Sequence, residues 1–434
     1  MDSEAVDLLC RYIRINTSNP PGNECLAAEF LEQILYGADI RYKTYELKPG
    51  RVSIRAELKG NGEKAPLILL HHEVVIAASK EEWSFDPFGG EVIDGYICGR
   101  GSLDTKSLGI MQLLALLELK NEGAELKRNL LFLATADEEA GGEAGVVCLL
   151  KDHPEDFQAE LVLNEGSYVV SGISGDRLMA MISPGEKGPC WMKLRRRGQP
   201  GHGSTTHGQN ALEKLTQAVN RLVDYSPPLH VTPIAAEYFK RLASAWEFLK
   251  PYAEDGSDET LIRILNESGL IGMPQVSAML KNTVSLNSLK SGHKVNVIPS
   301  YAEAEVDTRL LPGQDVKAWL QTVKKLLDDS EIEVDAFTAY EGNSSDMDTD
   351  SFKLIEQALV DHYPGAITVP YLMLGTTDSR FFRERGITAY GLCPAVVSMD
   401  QLKSIHGFDE KIAVDSFLKG VEVYKDIVRR LCID

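Results

Sequence analysis

Two histidines and four acidic residues, far apart in the chain, are the residues here that could do chemistry together. His71 ends the apolar run Pro66-Leu-Ile-Leu-Leu70 and is followed by His72 and Glu73. Asp104 ends Gly99-Arg-Gly-Ser-Leu-Asp104. Glu138 and Glu139 follow the apolar run Asn129–Thr135, and Glu165 sits in Asn164-Glu-Gly166 after Glu160–Leu163. His406 lies in a polar loop near the other end. Imidazoles mixed with carboxylates suit zinc or a similar divalent ion better than calcium, which prefers oxygen alone. A carboxylate set between two such ions can bridge them, and ions ~3.5–4 Å apart make a hydrolytic centre. Hydrolysis of an amide there needs a further carboxylate, one that takes the proton of water and delivers it to the leaving nitrogen. Adjacent Glu138 and Glu139 can split the roles of ligand and base.

The elements that must position these residues read as an α/β fold. A short continuous apolar run is a strand buried on both faces. Pro66–Leu70, Asn129–Thr135 and Glu160–Leu163 are three such strands, and Val52–Leu58 alternates as a strand. Helices are expected at residues 3–15, 24–36 and 107–121, the last carrying Ile110, Leu113, Leu114 and Leu117 on one side. Alternating strands and helices make a mostly parallel sheet with helices on both faces, and ligands gather at the carboxyl ends of its strands. The texture changes near Lys187. Strands at 191–197, 284–289, 295–311 and 332–337, with helices at 210–223 and 316–327, form a small α+β unit. Prolines at 227, 228, 233, 251 and 274 mark an insertion at about 226–280. A helix at 352–359, strands at 368–374 and 387–392 and a closing helix at 414–431 return to the first texture. The expected organisation is a split catalytic domain, 1–186 and 343–434, with a lid/dimerisation domain at 187–342.

The net charge of −19 argues against nucleic acid or an anionic membrane as partner. No apolar run approaches the ~18 residues of a membrane span. The start of the sequence shows no signal-peptide pattern. Seven scattered cysteines without a CxxC pair read as reduced thiols, so a cytoplasmic location is expected.

The motifs carry a resemblance over nearly the whole chain. They are His-x-acid-Val-Val at 71–75, Gly-Arg-Gly-x-x-Asp at 99–104, Asp-Glu-Glu at 137–139 and Asn-Glu-Gly at 164–166. Further along stand Gly-x-Pro-Gly-His at 198–202, Asn-Val-Ile-Pro at 296–299, Asp-x-Arg-Leu-Leu-Pro-Gly at 307–313, Gly-Thr-Thr-Asp at 375–378 and His-Gly at 406–407. The sequence resembles the co-catalytic zinc aminoacylase/carboxypeptidase family, which includes glutamate carboxypeptidase, aminoacylase and carboxypeptidase S. The resemblance implies two Zn2+ ions, with Co2+ or Mn2+ as substitutes. Asp104 would bridge them, His71 and Glu165 would complete one ion, and Glu139 and His406 the other. Glu138 would be general base and then acid. His202 would stabilise the oxyanion, often across a dimer in this family. Asn296 and Arg309 would meet the oxyanion and the substrate carboxylate, with Gly375 and Thr376 also at the substrate. An arginine fork is the natural partner of a carboxylate.

One position departs from the family pattern. Glu73 and Ile76 stand where the family has Asp and Pro, so Glu73 is expected to orient the metal-binding imidazole. The same register selects His71 rather than His72 as ligand. The function implied is hydrolysis of an amide or peptide bond beside a free carboxylate, on an N-acyl amino acid or short peptide. The Glu186-Lys-Gly188 entry to the second domain and the apolar insertion favour the N-acyl-amino-acid branch. A dipeptidase or a deacetylase/desuccinylase of the same fold is the alternative. A metal-poor binding protein is a third reading, supported only by Glu73.

Overall fold

The computed structural model describes residues 2–433. Its elements, in chain order, are as follows. Helices α1 (Asp2–Arg14) and α2 (Glu24–Gly37) precede the hairpin β1 (Arg41–Lys48) and β2 (Arg51–Leu58). Then come β3 (Leu67–His72), α3 (Lys106–Glu122), β4 (Leu130–Thr135), β5 (Leu161–Ser174) and β6 (Arg177–Glu186). The second unit holds β7 (Gly188–Arg197), α4 (Ala211–Val223), α5 (Pro233–Leu242), β8 (Thr283–Ser291), β9 (Tyr301–Leu310), α6 (Val316–Leu327) and β10 (Ile332–Ala339). The chain finishes with α7 (Asp350–His362), β11 (Ile367–Met373), β12 (Thr388–Ser398), α8 (Met399–Ser404) and α9 (Val414–Cys432).

The large sheet runs β6-β12-β5-β3-β4-β2-β1, with β11 added beside β6. Its middle, β12-β5-β3-β4, is parallel, and antiparallel strands flank it on both sides. Every residue of β3 and β4 is buried, as their unbroken apolar runs require. Helices α1, α3 and α9 cover one face, through Leu9, Ile13, Leu113, Leu116, Tyr424 and Ile427. The other face is covered by a cluster containing Val146, Leu149, Phe157 and Phe382.

The smaller sheet, β8-β9-β7-β10, is antiparallel and carries α4 and α6 on one face. Its own core joins Met192, Leu194, Leu215, Val219, Val306, Trp319 and Val323. The helical pieces of residues 233–280 lie between β7 and β8 in the chain but bury their apolar faces in the larger core. Tyr238, Phe239, Leu242, Leu261 and Leu265 belong to it, and α5 packs on β11.

Two strands differ from their expected bounds. The strand expected to stop before Asn164 runs on to Ser174 and pairs antiparallel with β6. Glu165 therefore sits within a strand, at an irregularity where the pairing of β5 with β12 shifts register and Gly166 has φ +154°. The strand expected over 295–311 is broken into Val297–Ile298 and β9.

Candidate metal centre

Three loops and two strands converge at one edge of the large sheet. At the end of β3, His72 turns its Nε2 to Asp104 Oδ1 at 3.0 Å and to Glu165 Oε1 at 3.5 Å. The other Asp104 oxygen, Oδ2, lies 3.0 Å from His406 Nε2, which also lies 3.3 Å from Glu139 Oε1. His72, Asp104 and Glu165 form one set and Asp104, Glu139 and His406 the other, with the ligand atoms of each set within 4.8 Å of one another. Asp104 thus gives one oxygen to each.

The loops are held by residues behind the site. Glu410 is buried and accepts amide hydrogens from Gly101, Leu103 and Asp104, at 3.1, 2.7 and 3.1 Å, while Arg100 donates to its second oxygen at 2.6 Å. This one carboxylate shapes the loop that delivers Asp104. Asp137 has φ +68°, and its carboxylate pairs with Arg51 at 2.7 Å and accepts from the Ala144 amide at 2.6 Å. Arg51 is also paired with the buried Glu24 at 2.7 Å. That triad fixes the turn presenting Glu138 and Glu139. At α8, Ser398 and Gln401 form a capping box just ahead of His406.

The structure corrects His71 as the metal ligand. Neighbouring strand residues point to opposite faces. His71 is buried beneath α1 and α3, its Nε2 3.2 Å from Tyr12 Oη and its Nδ1 3.1 Å from Gln112 Oε1. His72 takes the place at the site. Its Nδ1 donates to the Val74 carbonyl at 2.7 Å, which fixes the ring and aims Nε2 at the carboxylates.

Glu73 is corrected with it. Its side chain returns to the interior, fully buried, and neither carboxylate oxygen has a hydrogen-bond partner among the described residues. Burial and the charge of Glu24 push its pKa well up. The orienting task expected of Glu73 falls to a backbone carbonyl.

The titration behaviour reflects crowded carboxylates. Burial pushes His71 down to about 3. Burial opposes the charge of His72, but Glu165 and the hydrogen bond His72 donates to Asp104 outweigh it and raise its pKa well above normal. Hydrogen bonds to Asp104 and Glu139 lift His406 to about 10. Asp104 is held far below the usual carboxylate range because His406 and His72 overcome its desolvation. Glu165 and Glu138 are pushed well up, first by desolvation and then by neighbouring carboxylates.

The donor set fits divalent cations. Glu139 and Glu165 have no ionic partner other than these imidazoles among the described residues. Two nitrogens and three carboxylates aimed at one another are a mixed N/O donor set of the kind zinc takes. Glu138 belongs to neither set, adjoins Glu139 in the chain and interacts electrostatically with His72 and Glu139.

The other expected site residues do not meet this cluster. His202 is exposed on the smaller unit, with its Nδ1 2.8 Å from Ser204 Oγ. Asn296 is exposed beside it, its carbonyl accepting from Gly203 at 2.9 Å. Arg309 pairs with Asp307 at 2.9 Å and lies over the Trp191 ring. Gly375 and Thr376 occupy a half-buried loop after β11. The next residues of that loop do more than the sequence suggested. Thr377 binds the buried Glu186 through its amide and hydroxyl, and Asp378 accepts from Thr135 at 2.9 Å. Asp378 was visible in its Gly-Thr-Thr-Asp motif; Glu410 had no spacing signal.

The chain is similar to known proteins over most of its length. The N-fatty-acyl-amino acid synthase/hydrolase PM20D1 of Bos taurus is 30% identical over 379 residues, covering 84% of this chain and 74% of that protein. Aminoacylase-1 of Sus scrofa is 28% identical over 453 residues, covering 98% and 95%. The M20 family metallo-carboxypeptidase Sso-CP2 from Sulfolobus solfataricus shares the fold with a TM-score of 0.76 at 18% identity, covering 98% of each chain. The family model for Peptidase family M20/M25/M40 matches residues 67–430, a span that contains all five converging ligands, and the chain belongs to that family.

Proposed function

We propose that this protein is a two-zinc amidohydrolase that releases an amino acid from an N-acyl amino acid. The observation that carries the reading is the division of Asp104 between two ligand sets, with Glu138 adjoining Glu139 in the chain and in neither set. His72, Asp104 and Glu165 would hold one ion, and Asp104, Glu139 and His406 the other. Bound ions supply Lewis acidity for the amide carbonyl and lower the pKa of water towards ~7. Glu138 takes the proton of the attacking water. It then gives that proton to the amide nitrogen as the C–N bond breaks. Arg309 and Asn296 would receive the substrate carboxylate and His202 the oxyanion once the smaller unit closes over the sheet edge.

The N-acyl substrate class is supported by relatives named for hydrolysing N-acyl amino acids. Pairing of two copies through the smaller unit belongs to the same reading. So does a reducing, cytoplasmic setting, which the seven unpaired cysteines support. No described helix is long and apolar enough to cross a membrane.

The test is incubation with a mixed panel of N-acyl amino acids and dipeptides, reading released amino acids by mass spectrometry with and without a chelator. Chelator-sensitive release from the acyl compounds is the expected result. Release from dipeptides alone would replace this reading with a dipeptidase. No release from protein carrying two zincs per chain would reject both.

A further inference from the structure

A cavity of about 200 Å³ opens directly beside Asp104 and Glu165. Its walls are apolar: Leu108 of α3, Met181 of β6, Tyr371 and Met373 of β11, and Leu402 and Ile405 from α8 and the turn after it. No lysine or arginine lines it. Two of its hydroxyls are already engaged. Ser167 Oγ lies 2.8 Å from the Met181 carbonyl and 2.9 Å from that of Gly391, and Tyr168 donates to the Leu103 carbonyl at 2.7 Å. Such a space offers no cation to a carboxylate, and its apolar walls reward an apolar group. It exceeds the ~150 Å³ apolar cavity that accommodates benzene, so it has room for a ring or a short aliphatic chain.

We infer that this cavity receives the apolar end of the substrate's acyl group. The inference rests on the N-acyl-amino-acid reading and adds where that group lies. A substrate amide held at Asp104 has two arms. The arm with the carboxylate needs a cation, and the cavity has none. The acyl arm needs dry apolar surface, which begins beside Asp104 and Glu165 and leads away from them. The wall at Leu402 and Ile405 ends one residue before His406, so acyl length is measured against the element that carries a ligand.

The experiment uses the zinc-loaded protein and one amino acid bearing acetyl, butanoyl, hexanoyl, octanoyl or phenylacetyl groups. For the wild type, kcat/KM should rise about fourfold per added methylene until the cavity is full. Leu402→Trp should lower the hexanoyl and phenylacetyl values at least about tenfold and the acetyl value less than about threefold, the asymmetry that a filled apolar pocket produces. Met373→Ala should move the optimum to a longer chain. Zinc content and melting temperature identify any variant that has simply lost its fold, and Met373→Ala then decides alone. Three results would overturn the inference: values independent of chain length, equal loss for every acyl group, or a change in the ranking of amino acids at fixed acyl group. Failure of the underlying reading looks different, with no chelator-sensitive release from any acyl compound, and it removes both.

Discussion

His71 and His72 are neighbours with opposite fates, and a single alternation of the strand decides them. His72 faces the carboxylates, while His71 bonds Tyr12 and Gln112 in the interior. Metal analysis should therefore separate the two. His72→Ala should lose one of two zincs. His71→Ala should keep both and lower stability by about 2–4 kcal/mol, because it opens a cavity and strands the Tyr12 and Gln112 groups. Glu138→Gln should leave zinc content unchanged and reduce kcat by about 10²–10⁴, the usual worth of a positioned base. Unchanged turnover would hand the base to another group. Glu138, Glu139 and Glu165 were legible from sequence because they follow apolar runs, and Asp104 because of its Gly-Arg-Gly-x-x-Asp motif. The choice between adjacent histidines was not, since a one-residue offset in a doubly buried strand leaves the hydrophobic pattern unchanged. Glu73 was misread for the same reason: its type matched the motif while its side chain followed His71 inward.

At the scale of elements, α3 shows how the site is braced from behind. Its Gly109 sits against the His71 ring, where an added Cβ would come within 2.4 Å of Cδ2 and Nε2. The ring cannot step aside, since it is tied at both nitrogens. Gly→Ala inside a helix ordinarily stabilises by about 0.5–1 kcal/mol. Here Gly109→Ala should instead destabilise by about 1–3 kcal/mol, the usual penalty of overpacking. In a His71→Ala background the same change should become neutral or favourable. Denaturant titration of the four proteins measures the cycle, and additive effects would show that the contact is relieved elsewhere. Element positions were largely readable: α6 lies where its periodicity puts it, and α3 within a residue at each end. The continuation of β5 past Glu165 was hidden, because Asn-Glu-Gly reads as a stop and only pairing with β6 overrides it. The attachment of residues 233–280 to the larger core was hidden as well, since an amphipathic helix does not record which core it faces.

For the whole molecule, the crowded carboxylates make stability depend on metal and pH together. Glu138, Glu165, His72 and His406 all have raised pKa values without ions. Groups of this kind support the fold below their unfolded pKa and withdraw that support as pH rises through the folded value. The ion-free protein should therefore melt at progressively lower temperature as pH rises from about 6.5 to 8, above the range in which buried His71, held down to about 3, gains support with pH. Zinc binding runs the other way, because imidazoles must be deprotonated to bind. A hundredfold excess of zinc over its Kd adds about 2.7 kcal/mol. The gap in melting temperature between loaded and chelated protein should widen with pH, and a constant gap would place the stabilising metal elsewhere. The sheet order has a further consequence, for synthesis. β12 lies between β5 and β6, which precede it by some two hundred residues, and His406 comes later still. A ribosome delivers the chain at about 5–20 residues per second. For most of that time the emerging protein holds Asp104, Glu139 and Glu165 with neither the central strand nor the last imidazole. Under the proposed reading the set of His72, Asp104 and Glu165 can form on the emerging chain, whereas the set of Asp104, Glu139 and His406 waits for the last imidazole, so the second ion would join only near the end of synthesis.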